Sequence, residues 1–173
     1  SGSSKSCAKG ARPYHDSTRR KKLTQEEYTE LLRPIAQQLL DVDLSNAKVA
    51  AAEIESRVSF AGEAIDDLRT ATMLAVREDW LLPKESGGIR FGRIVKDLEG
   101  FSVDAVLMSS PGPKHNHPNG EIDLCFTTEG SPKFDGHNEG WVVYGPDSTH
   151  VPTVRGGEML ILYFLPGGAI KFL

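Results

Sequence analysis

The chain has 173 residues and a mass of 18.9 kDa, with 39% hydrophobic and 25% charged residues, a balance that excludes disordered and collagen-like classes. No run approaches the roughly 18 apolar residues of a membrane span, so no membrane partner is expected. The first residues lack an apolar signal core, and the two cysteines, Cys7 and Cys125, form no disulfide framework. A cytoplasmic protein is therefore expected.

The net charge of −4 is unevenly spread. Residues 1–22 carry seven Lys or Arg against Asp16 alone, a surplus of six positive charges that leaves −10 on the rest. A basic arm on an acidic body is expected to lie against that body or a neighbouring subunit. No nucleic-acid partner is expected. The acidic body repels phosphates, and the run Arg19-Arg20-Lys21-Lys22 has few aromatic neighbours.

The first element begins at Thr24. Thr24-x-x-Glu27 reads as a capping box, and Tyr28, Leu31, Leu32, Ile35 and Leu39 follow at helical spacing. Pro34 falls inside this pattern and predicts a kink or a division. Ser45 or Asn46 caps a second helix carrying Val49, Ala50, Ile54 and Val58. Gly62 and Glu63 open a third, with Ile65, Leu68, Thr72, Ala75 and Val76 facing inward. Pro83 and Gly87-Gly88 end the helical half. Three short helices bury a limited core, so they are expected to pack on the second half or on another subunit, and a homo-oligomer is expected.

After Gly88 the period changes to two. Strands are predicted over 89–95 (interrupted at Gly92), 101–108, 121–126, 141–144, 158–165 and 169–172, with 127–140 a polar connection and Arg155-Gly156-Gly157 a turn. Six or seven short strands with such punctuation suggest a barrel or sandwich.

The richest chemistry lies in His115-Asn-His-Pro-Asn-Gly-Glu121. His115 and His117 are two apart and share one face of an extended strand. Pro118-Asn119-Gly120 turns the chain so that Glu121 returns near the two rings. His150 follows a second turn, Gly145-Pro-Asp-Ser-Thr149. Three imidazoles and a carboxylate suit one divalent transition ion, Fe, Mn, Ni, Co or Zn. Around them, Arg93 and Arg155 are candidate anchors for a substrate carboxylate. Tyr144 is a candidate aromatic wall. Asp123, Glu129 and Tyr163 are candidate proton-transfer groups. His137, in Asp135-Gly-His-Asn138, is expected on the surface.

This pattern resembles the cupin superfamily. His115, His117, Glu121 and Gly130 stand for its first motif, and Gly140, Pro146 and His150 for its second, although Ser148 replaces a usual glycine. Together with the residue pattern, the resemblance gives an expected α+β chain: a basic arm over 1–22, an N-terminal helical segment over 23–86, and, as the resemblance implies, a single small cupin β-barrel over 87–173. It also implies metal ligation by His115, His117, Glu121 and His150. Glu121 and His150 are expected to serve catalysis as well. More closely, Pro113-Lys-His-Asn-His-Pro-Asn-Gly-Glu-Ile-Asp123 and Gly145-Pro-Asp-Ser-Thr-His-Val-Pro-Thr-Val-Arg-Gly-Gly157, behind a helical half, resemble the 4-hydroxylaminobenzoate lyase family. That family belongs to bacterial nitroaromatic breakdown and converts 4-hydroxylaminobenzoate and water to protocatechuate and ammonia. The resemblance implies a small aromatic acid as substrate. Two alternatives share the ligand set: a cupin Fe(II) dioxygenase acting on an aromatic or small organic acid, and a non-enzymatic cupin that binds a small ligand.

Overall fold

Helices form where the capping signals lie. In the computed structural model, which describes Gly2 and residues 22–173, helix α1 spans Gln25–Leu39, with the Thr24 hydroxyl accepting from the Glu27 amide. Most of the basic arm, with Cys7 and His15, falls outside the described residues. Pro34 does not divide α1: Tyr28, Leu32, Ile35, Ala36 and Leu39 are buried on both sides of it. That continuous stripe outweighs one lost backbone bond. Asn46, rather than Ser45, caps α2 (Ala47–Arg57) through its side chain, and Gly62 precedes α3 (Glu63–Arg77). A buried Tyr28–Thr72 hydroxyl contact of 2.7 Å ties α1 to α3. Among the described residues no helix is long and apolar enough to cross a membrane.

Among the described residues nine strands follow: β1 (Lys84–Ser86), β2 (Ile89–Leu98), β3 (Phe101–Met108), β4 (His115–His117), β5 (Glu121–Phe134), β6 (Gly140–Tyr144), β7 (Ser148–His150), β8 (Val154–Pro166) and β9 (Lys171–Phe172). They make a six-stranded antiparallel sheet in the order β1-β2-β3-β8-β5-β6, and a three-stranded sheet in the order β7-β4-β9. The two sheets are not closed into the barrel expected from sequence. Proline stands at each crossing from one sheet to the other: Pro111 and Pro113 before β4, Pro118 after it, Pro146 before β7 and Pro152 after it. Lacking an amide proton, proline interrupts a hydrogen-bonded ladder.

Three stretches read as breaks are strand. Gly92 lies inside β2, where a Cβ would stand 2.3 Å from the Leu81 carbonyl oxygen. The absent side chain lets the backbone of Leu81 pass against the sheet. The polar stretch after Phe126 extends β5 to Phe134, and Arg155-Gly156-Gly157 opens β8. There Gly130 pairs with Gly157, and a Cβ on Gly157 would meet the Glu129 carbonyl oxygen at 2.1 Å. The glycines permit close, bulged pairing rather than a turn.

Alternation divides the large sheet into two faces. Val103, Ala105, Ile122, Leu124, Phe126, Leu160, Leu162 and Phe164 are fully buried in one apolar cluster with Tyr28, Leu32, Ile54, Ile65 and Leu68 of the helices. The opposite face carries Met159 and Ile161 together with Asp104, Glu121, Asp123 and Tyr163. That face looks onto the small sheet.

Candidate metal centre

The small sheet brings the histidines together. His115 is the register partner of His150 on β7, and His117 follows two residues later on the same side of β4. Gly120, at φ +83°, completes the turn that returns Glu121 to β5, where a Cβ would stand 2.8 Å from the Tyr144 carbonyl oxygen. The ligand atoms of His115, His117, Glu121 and His150 lie within 4.8 Å of one another.

The three Nε2 atoms form a near-equilateral triangle with sides of 2.9, 2.9 and 3.0 Å. Glu121 Oε2 is 3.2 Å from His117 Nε2. A ring nitrogen holds either one proton or one lone pair, so three such contacts cannot all be good hydrogen bonds. The outer nitrogens fix two tautomers. His115 Nδ1–H donates to the Pro113 carbonyl at 2.9 Å, and His150 Nδ1–H donates to Asp135 Oδ2 at 2.8 Å. Both therefore aim lone pairs inward, and a cation is what such a convergence accommodates. Three neutral imidazoles and a carboxylate converging on one point fit a divalent transition ion.

Burial sets the protonation pattern. Desolvation lowers the pKa of His115, and with its two imidazole neighbours it pushes His117 down to about 3. Neutral imidazole is the ligating form. His117 Nδ1 has no partner among the described residues, and its ring stacks 5.9 Å from Tyr144. Burial raises both Glu121 and Asp123, which lie two apart on one face and hydrogen-bond to each other. Two adjoining buried carboxyls disfavour double ionisation, and a bound cation favours the ionised form of Glu121.

A cavity of about 400 Å³ opens beside the ligands. Its walls include Phe91, Val106, Ile161 and Phe172, and His115, Glu121, Asp123 and Tyr163 supply its polar side. Such an apolar pocket with few convergent polar groups suits a small organic ligand. Phe172 of β9 sets its ring edge-on to His115 at 5.8 Å.

Comparison with known proteins fits this site. The family model described as PnbB, 4-hydroxylaminobenzoate lyase, matches residues 26–172. The chain belongs to the 4-hydroxylaminobenzoate lyase family. A protein of that name from Nocardioides sp. (strain LMS-CY) is 33% identical over 110 residues, covering 56% of this chain and 65% of the relative, just under two thirds of its length. Another, from Pseudomonas putida, is 26% identical over 131 residues, covering 64% and 74%. Among solved structures, an RmlC-like cupin protein from Ralstonia eutropha JMP134 is similar over 51% of this chain and 61% of its own, at 17% identity and a TM-score of 0.40.

Within this family member the other sequence-predicted residues fall at different distances from the ligands. Tyr144 packs on His150 at 4.1 Å between ring centres and donates to Asp135. Arg93 is half-exposed and pairs with the buried Asp104 at 3.1 Å. Arg155 is exposed on β8, opposite Lys133, and neither arginine lines the cavity. Glu129 and His137 are exposed, whereas Asp123 and Tyr163 line the cavity. Asp135 was not singled out from sequence. It sits at φ +46°, its Oδ2 accepts from His150 and Tyr144, and its Oδ1 accepts from the Thr153 amide at 2.8 Å. The available signal was Asp135-Gly136, a pair that tolerates left-handed backbone and turns a carboxylate back on the chain.

Proposed function

We propose that this chain is a metal-dependent lyase that converts 4-hydroxylaminobenzoate and water to protocatechuate and ammonia. The observation that carries the reading is the convergence of three imidazoles and Glu121 on one point at the side of an apolar cavity, in a chain of this family. His115, His117, Glu121 and His150 are the proposed ligands. A divalent ion held there supplies Lewis acidity and lowers the pKa of bound water. The reaction is redox-neutral overall: the N–O bond is reduced while the ring gains oxygen, and the nitrogen leaves as ammonia.

The protein's own groups do the rest. Pro113 and Asp135 hold His115 and His150 in the ligating tautomer. Phe91, Ile161 and Phe172 flank the ring and exclude bulk water. Glu121 and Asp123, sharing a proton, place acid–base capacity beside the reacting group. A homo-oligomeric, cytoplasmic enzyme remains part of this reading, and light scattering of the purified protein tests its assembly.

An Fe(II) dioxygenase would use the same ligands, so oxygen dependence separates the two. The metal-replete protein is incubated with 4-hydroxylaminobenzoate in air and under argon, and protocatechuate and ammonia are quantified. Equal yields of both products in the two atmospheres are expected. Turnover that requires oxygen, or no ammonia, would overturn the lyase reading.

A further inference from the structure

The cavity side of the large sheet carries a row of polar residues across four strands. Arg93 on β2 is the register partner of Asp104 on β3, Asp104 of Tyr163 on β8, and Tyr163 of Asp123 on β5. Tyr163 and Asp123 line the cavity; Asp104 and Arg93 stand behind them. Asp123 is 1% exposed, yet its Oδ2 has no hydrogen-bond partner among the described residues. The Tyr163 hydroxyl makes no hydrogen bond within the described residues. Tyr163 and Asp123 are register partners on one wall of the cavity, and an unpaired hydroxyl beside a carboxyl there marks a place for a ligand group that both accepts and donates.

We propose that the Tyr163 hydroxyl and the Asp123 carboxyl form a donor–acceptor subsite that recognises the –NH–OH group of an arylhydroxylamine next to the metal ligands. The proposal rests on the lyase reading for the identity of the ligand. Tyr163 donates to the hydroxylamino oxygen, and the Asp123 carboxyl accepts the N–H. A nitro group offers acceptors alone and leaves the Asp123 carboxyl without its donor, and an unsubstituted ring satisfies neither residue. A site built to hydrogen-bond a group rejects analogues that lack it, because its own buried groups then stay unpaired. The same logic orients the substrate. Among the described residues no Lys or Arg lines the cavity, so the ring's carboxylate points away from the two carboxyls, toward Ser86 and Gly87.

Binding of unreactive analogues tests this apart from turnover. Calorimetry on the metal-replete protein compares 4-hydrazinylbenzoate, a donor-bearing isostere with no N–O bond to break, with 4-nitrobenzoate and benzoate. The hydrazinyl compound is expected to bind at least about 10-fold more tightly than either. Tyr163→Phe should erase about 5- to 10-fold of that preference and leave benzoate affinity and metal content unchanged. Asp123→Ala should do the same, with metal content measured alongside because Glu121 is its neighbour; Tyr163→Phe stands alone if that variant loses the ion. Equal affinities in the wild type, or a Tyr163→Phe loss common to all three ligands, would overturn the subsite. A wild type that prefers the hydrazinyl ligand but does not release ammonia would instead remove the lyase reading and leave the subsite standing.

Discussion

The two faces of the six-stranded sheet are built from the same strands and hold opposite chemistry. On β5, Ile122 and Leu124 point to the helices while Glu121 and Asp123 point to the cavity, and all four are at most 4% exposed. On β8, Leu162 and Phe164 are dry core while Tyr163 reaches the cavity. Burial alone therefore does not distinguish stability from function here. What differs is the partner: the apolar face meets α1–α3, and the polar face meets a second sheet whose histidines are placed to hold a cation. A polar group that is buried and incompletely paired costs stability. The helix-packed face supplies the apolar burial that offsets it.

Breaking the polar face should have the largest effect on activity. His115→Ala/His117→Ala is expected to bind less than about a tenth of an equivalent of metal and to lose at least about 10³-fold in turnover, with the far-ultraviolet circular dichroism preserved. Retained turnover without metal would move the chemistry elsewhere. Breaking the apolar face should do the reverse. Phe164→Ala, on a fully buried ring, should cost about 3–5 kcal/mol and lower Tm by roughly 10 °C. Metal per folded chain should stay unchanged. Loss of metal well below the unfolding temperature would show that the two faces are coupled.

Asp135→Asn sharpens the boundary between them, because Asp135 touches His150 without belonging to the ligand set. A roughly 10- to 100-fold weaker metal affinity is expected by competition with a chelating dye. The smallest effect is one of pH. The folded-state pKa of His117 is depressed from 6.5 to about 3, so in metal-free protein its contribution to stability is present above pH 6.5 and is lost as pH falls toward 3. Between pH 7 and 5 this amounts to roughly 5 °C in Tm. The raised pKa values of Glu121 and Asp123 act in the opposite direction, since their contribution is lost as pH rises. His117→Ala should therefore lose less stability between pH 7 and 5 than the wild type; parallel Tm–pH curves would contradict the assignment.

Local pattern carried much of this into the sequence. Helical spacing and caps placed α1–α3, and the i, i+2 histidines before a Pro-Asn-Gly turn marked the group that converges. What stayed illegible depends on long-range pairing. Gly156 and Gly157 looked like a turn, and Gly130 like part of a loop connection, because composition cannot distinguish either from two backbones in close contact. Pro34 looked like a break because the buried stripe that carries α1 through it depends on contacts with other elements. Asp135 was hidden because its partners, Tyr144, His150 and Thr153, lie 9 to 18 residues away. The closed barrel was expected from strand number and family resemblance, but closure depends on which edges pair, which local pattern does not reveal.

The most direct test of a three-histidine, one-carboxylate centre is X-ray absorption at the edge of whichever ion the protein retains. The account predicts a shell of nitrogen and oxygen neighbours at about 2.0–2.2 Å, with multiple scattering from three imidazoles, reduced to two in His150→Ala. Sulfur at about 2.3 Å, or a spectrum unchanged by loss of His150, would contradict it.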